Sequence, residues 1–132
     1  MYRILIVLLF AVILDSCSVQ KITGSYERKY SICDGAFRNY RVETIDLKDD
    51  SSYTIVTKSF GSPAYKGLLY SSVSKGSFTV NNRNIFLKPT GLDYYQFCLR
   101  QKSDKLLILD CKSGKKIHSA EVYKKSDVNN GN

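Results

Sequence analysis

The side chains in this 132-residue chain that could do chemistry are few: Cys17, Cys33, Cys98 and Cys111, the single histidine His118, and the adjacent carboxylates Asp49 and Asp50. A cysteine paired with a histidine can act as nucleophile and base. Here, however, His118 falls in a predicted strand beside Lys115 and Lys116, and no G-x-S-x-G or comparable nucleophile motif accompanies it. Asp49-Asp50 reads as a solvated turn, because hydrolytic carboxylate pairs converge from separate elements. The cysteines form no C-x-x-C, the one methionine is Met1 and the one histidine stands alone, so neither a thioredoxin-type centre nor a zinc or soft-metal site is expected. The sequence therefore predicts a protein that is not an enzyme, with no catalytic residue, no cofactor and no metal.

Cys17 has a different setting. Arg3 precedes eleven uninterrupted apolar residues, Ile4 to Leu14, which Asp15 ends. At about 1.5 Å per residue in a helix this run is too short for a hydrocarbon core of ~30 Å and has the length of an export signal. Leu14-Asp15-Ser16-Cys17 resembles the lipobox of bacterial lipoproteins, whereas Leu14 and Ser16 make a poor A-x-A-like cleavage site. The resemblance implies a signal peptide over 1–16, acylation of Cys17, and a lipidated tether over 17–23. Each buried methylene contributes about 0.8 kcal/mol, so several acyl chains hold a domain at a membrane where one chain would not. By the same resemblance, Ser18 after the cysteine implies the outer membrane, and the absence of an acidic run there implies a periplasm-facing protein.

Removing 16 of the 132 residues leaves 116, enough for one core and one domain, set at 24–125 with a polar tail over 126–132. The net charge of +8 survives cleavage, because Arg3 and Asp15 cancel. The basic residues are scattered, among them Arg28, Lys29, Arg38, Arg41, Lys66, Lys75 and Arg83, and no nucleic-acid motif accompanies them. They read as a solvated basic surface, with weak attraction to lipid phosphates or polyanionic glycans.

Apolar residues alternate with period two between turn clusters, the pattern of an all-β domain. Gly24 to Tyr30 reads as a first strand, followed by a loop from Ser31 to Asn39. Ile45 and Leu47 share one face of the next strand, and Asp49 to Ser52 turns into Tyr53 and Ile55. Val73–Val80 and Ile85–Leu87 make a second hairpin, Tyr94–Arg100 and Lys105–Cys111 a third, and Ile117–Lys125 completes about eight strands. Closing an antiparallel meander removes its unpaired edges, so a small up-and-down barrel is expected, with a β-sandwich as the alternative. The breaker-rich stretch Gly61 to Tyr70 carries Tyr65, Leu68, Leu69 and Tyr70. It reads either as a contact loop at the lip of a pocket or, preferably, as an irregular strand folding over an open barrel end.

With Cys17 given to lipid, three cysteines remain, and an oxidising compartment favours one disulfide and one free thiol. Cys98 and Cys111 lie on consecutive predicted strands, at a separation that centres the hairpin between Asp104 and Lys105. Their pairing would leave Cys33 free; a bridge from Cys33 to either is the competing arrangement.

Ile45 to Ile55, Gly76-Ser77-Phe78-Thr79-Val80 and Lys105 to Asp110 resemble small lipocalin-like envelope lipoproteins of the copper-resistance and envelope-stress type. The chain lacks that group's C-x-x-C and any Met/His cluster. The resemblance implies a non-catalytic binding or scaffolding module that engages a lipidic ligand or an envelope protein. A second reading is an inhibitor of a cell-wall hydrolase such as lysozyme, since Ser62-Pro63-Ala64-Tyr65 loosely resembles the Ser- and Tyr-containing loop of small barrel inhibitors.

Overall fold

The computed structural model describes residues 21–35, 37–61 and 67–127. The apolar leader, Cys17, Ser62 to Tyr65 and the tail from 128 lie outside the described residues. Eight strands follow in chain order: β1 (Gly24–Asp34), β2 (Phe37–Leu47), β3 (Ser52–Phe60), β4 (Leu68–Asn81), β5 (Asn84–Pro89), β6 (Phe97–Lys102), β7 (Lys105–Leu109) and β8 (Tyr123–Lys125). Each pairs antiparallel with the next, and β8 returns to β1, so the meander closes into a barrel and not a sandwich.

The alternation read from the sequence becomes an inside and an outside because side chains switch face at every residue. Across β1 to β4 the inward positions line up in rows. Gly24, Leu47, Tyr53 and Gly76 form the lowest; Tyr26, Ile45, Ile55 and Ser74 the next; then Arg28, Glu43, Thr57 and Ser72; then Tyr30, Arg41, Ser59 and Tyr70. The two lower rows join Phe78, Ile85, Leu87, Leu99, Leu106 and Tyr123 in one buried apolar core.

The walls differ in height. β1 to β4 run 9 to 14 residues, whereas β5 to β8 run 3 to 6. β4 pairs with β5 only from Gly76 onwards, and β1 pairs with β8 only at Tyr26 and Glu27. The upper halves of β1 to β4 thus stand above the closed ring as a four-stranded wall. The lower end carries the short turns at 48–51, 82–83 and 103–104 and the incoming segment Lys21–Thr23. Lys21 and Thr23 bind the Asp49 carboxylate there, at 3.2 Å and 3.0 Å.

Several boundaries differ from the sequence reading, among them the start of β4 at Leu68 instead of Val73 and the end of β7 at Leu109 instead of Cys111. Residues 31–34 and 37–39, expected as loop, are strand: the turn needs little more than Gly35, whose φ of 61° favours glycine. Tyr94 to Gln96 belong to a loop that a Lys88–Asp93 ion pair of 2.9 Å folds back, so β6 starts at Phe97. The last strand is interrupted. Leu109 lies three positions after Leu106, while their partners Lys116 and Tyr123 lie seven positions apart, so four residues are looped out and His118 lies exposed in that loop.

Candidate binding site at the open end

The third inward row carries charge into the barrel. Glu43 is almost fully buried, and its carboxylate is saturated by donors from three other strands. Arg28 donates to Oε1 through Nε at 3.0 Å and through a terminal nitrogen at 2.9 Å. Thr57 and Tyr30 donate to Oε2 at 3.1 Å and 3.4 Å, and the Tyr123 hydroxyl donates to Oε1. The Arg28 guanidinium lies over the rings of Tyr30 and Tyr123, at 4.4 Å and 4.8 Å from their centroids. Burial, and then the Glu43 charge, push the Tyr123 hydroxyl far above the ordinary tyrosine range, which keeps it a donor. This cluster is a satisfied plug: it joins the closing strand β8 to β2 and separates the packed lower half from the row above.

That upper row is not satisfied. Ser59 is fully buried, and among the described residues neither its hydroxyl nor the buried Nε of Arg41 beside it has a hydrogen-bond partner. Tyr70, next in the row, places its ring 5.7 Å from the Arg41 Cζ and is 43% exposed. Leu68 and Leu69 continue β4 to the rim at 52% and 56% exposure, an apolar edge in an otherwise strongly basic protein. Among the described residues, the upper end of the four-stranded wall, its apolar rim and the two unspent polar groups together form the candidate site.

One solved structure with this fold is that of the Cpx pathway activator NlpE from Escherichia coli. It aligns with a TM-score of 0.60 over 76% of this chain and 48% of that one, at 18% sequence identity. This chain therefore spans about half the length of the NlpE structure, and the likeness is one of fold. No protein-family model matches the chain, and the search of curated proteins found no match.

Of the residues singled out in the sequence, Leu68, Leu69 and Tyr70 sit together at the rim of the open end, on a regular strand with one register shift opposite Ser59 and Phe60. Tyr65 and Cys17 lie outside the described residues. Asp49 and Asp50 occupy a turn at the lower end, and Cys33 is exposed near the tip of the β1–β2 hairpin. Sequence reasoning missed Arg28, Arg41, Glu43 and Ser59, which it had counted as surface or left unremarked. The signal was present: extending the Leu47, Ile45 phase backwards by twos lands on Glu43 and Arg41.

Cys98 and Cys111 form a disulfide with a Cα separation of 5.3 Å. The register differs from the one inferred, since Cys98 opposes Leu109 and Cys111 reaches back from the following turn. That turn is fixed by the Asp110 carboxylate, which accepts from the backbone N–H of Lys112 at 2.9 Å and of Ser113 at 2.7 Å. Replacing both cysteines with serine is expected to cost about 3 kcal/mol, the loop-closure entropy of a short bridge. A denaturation midpoint unchanged from wild type would show that the 110–115 turn is held without the bond.

Proposed function

We propose that this protein is a lipid-anchored, non-catalytic binding module of the bacterial outer membrane, facing the periplasm, and that its open barrel end engages a lipidic ligand or an envelope protein. The observation that carries the reading is polarity along the barrel. The tether arrives at the lower end, bonded to the 48–51 turn, while the apolar rim and the unspent polar groups lie at the other. Acylation at Cys17 would direct that open end away from the membrane. The fold it has in common with NlpE supports an envelope setting.

The test uses the full-length protein in native membranes. Its intact mass is expected to lack residues 1–16 and to carry acyl groups, and capture in mild detergent is expected to recover a partner that Leu68→Ser/Leu69→Ser loses. An unmodified Cys17, or equal recovery with the variant, overturns the reading. Inhibition of lysozyme by the purified domain would replace it with the inhibitor alternative.

A further inference from the structure

The geometry points to an anion site on Arg41 and Ser59: a carboxylate or phosphate group seated between the rings of Tyr30 and Tyr70, with any attached chain lying on Leu68 and Leu69. The inference deepens the binding-module reading and rests on it.

A guanidinium stays charged at any physiological pH and offers donors in a fixed fork suited to oxyanions. A buried polar group without a partner costs folding free energy, and such groups are rare in folded proteins. Here two stand side by side, one on β2 and one on β3, as Cα partners on the same face. Among the described residues nothing satisfies the Arg41 Nε. The carboxylate of the row below is taken by Arg28, Tyr30, Thr57 and Tyr123. Arg41's own neighbours in the row are Tyr30 and Ser59, neither of them acidic, and it forms no ion pair among the described residues. An incoming anion would supply the missing acceptor for Nε and for the Ser59 hydroxyl.

Access is from the β4 side. Tyr70 places its ring 5.7 Å from the Arg41 Cζ and is partly exposed, so an entering anion would displace the ring outward. The plug beneath sets the depth: a chain cannot descend into the packed lower half, so it must leave along the rim, where Leu68 and Leu69 are exposed.

The Arg41 Nε–H resonance reads this directly in ¹⁵N-edited spectra of the folded domain, with Arg28 Nε–H, already paired with Glu43, as internal reference. Three probes are titrated: inorganic phosphate, dihexanoyl phosphatidate, and zwitterionic dihexanoyl phosphatidylcholine. Saturable movement of the Arg41 signal with phosphatidate, at least tenfold tighter than with phosphatidylcholine, is the expected result. Equal affinity for inorganic phosphate would support the site and assign it to the free anion, not to a lipid headgroup. Arg41→Met is expected to weaken binding at least tenfold without lowering the melting temperature, because it removes an unpaired charge, and Ser59→Ala to weaken it severalfold. An Arg41 signal that neither anion moves, or binding unchanged in Arg41→Met, overturns the site. Should a protein co-purify equally with wild type and Arg41→Met, the anion site falls while the binding-module reading stands.

Discussion

Replacing Glu43 with alanine is expected to remove about 3–5 kcal/mol of folding stability, the cost of leaving a buried charge without its partner. For a domain of this size that loss lowers the melting temperature by at least about 10 °C. The reason lies in what remains: Arg28 would keep its place over the rings of Tyr30 and Tyr123 with no acceptor, and the hydroxyls of Thr57 and Tyr123 would lose theirs. The effect should concentrate at the closing seam. β8 has three residues and pairs with β1 at only two positions, so Tyr123, which reaches Glu43 across the barrel, contributes much of its attachment. Hydrogen exchange in Glu43→Ala should therefore rise first at Tyr123–Lys125. The double variant Arg28→Met/Glu43→Leu separates charge from packing. Because an apolar replacement of a buried ion pair is often neutral, it should recover most of the loss. A double variant no more stable than Glu43→Ala would mean that shape, and not the unpaired charge, sets the cost.

The barrel itself was legible because the signals that make it are local. Ile45, Leu47, Tyr53 and Ile55 alternate around a turn whose residues, Asp49 to Ser52, suit nothing but a turn. Strand ends were less legible where a tertiary contact decides them. Tyr94 to Gln96 have the composition of a strand, yet Gln96 is spent accepting hydrogen bonds from Tyr53 and Ser74, and the chain becomes regular only at Phe97. Residues 117–122 carry apolar side chains at 117, 120 and 122 without a two-residue period, and because β8 must meet both β7 and β1, the four looped-out residues supply the shift. The candidate site was half visible. Its rim announced itself through large side chains among breakers at Leu68 to Tyr70. Its interior did not, because Arg, Glu and Ser at inward positions look like surface residues to any reading that assigns faces by hydrophobicity. Only the strict two-residue period places them inside, and only the paired strands show that Glu43 is satisfied while Arg41 and Ser59 are not.

The other large effect is expected at Gly76, where the demand is space. The glycine sits in the lowest inward row, opposite Tyr53 on β3 and Pro89 on β5, at the point where β4 passes from one neighbour to two. A Cβ built there would lie 2.0 Å from the backbone oxygen of Lys88 and 2.8 Å from the Tyr53 ring. A ring can turn away; a backbone oxygen within a paired strand cannot move without its ladder. Gly76→Ala should therefore push β5 from β4 and cost about 3 kcal/mol, at the upper end for overpacking a well-filled site. The sign is what makes this decisive. Where a glycine's backbone suits any residue, alanine usually stabilises by about 0.4–1 kcal/mol through the unfolded chain, and the φ of Gly76 is not among the positive ones. Ser77→Ala, one position along on the exposed outer face, serves as the control and should be nearly silent. Urea titration of the two variants gives the answer: a Gly76→Ala midpoint at or above that of wild type would mean that β4 and β5 do not approach each other as closely as the Gly76–Pro89 pairing requires.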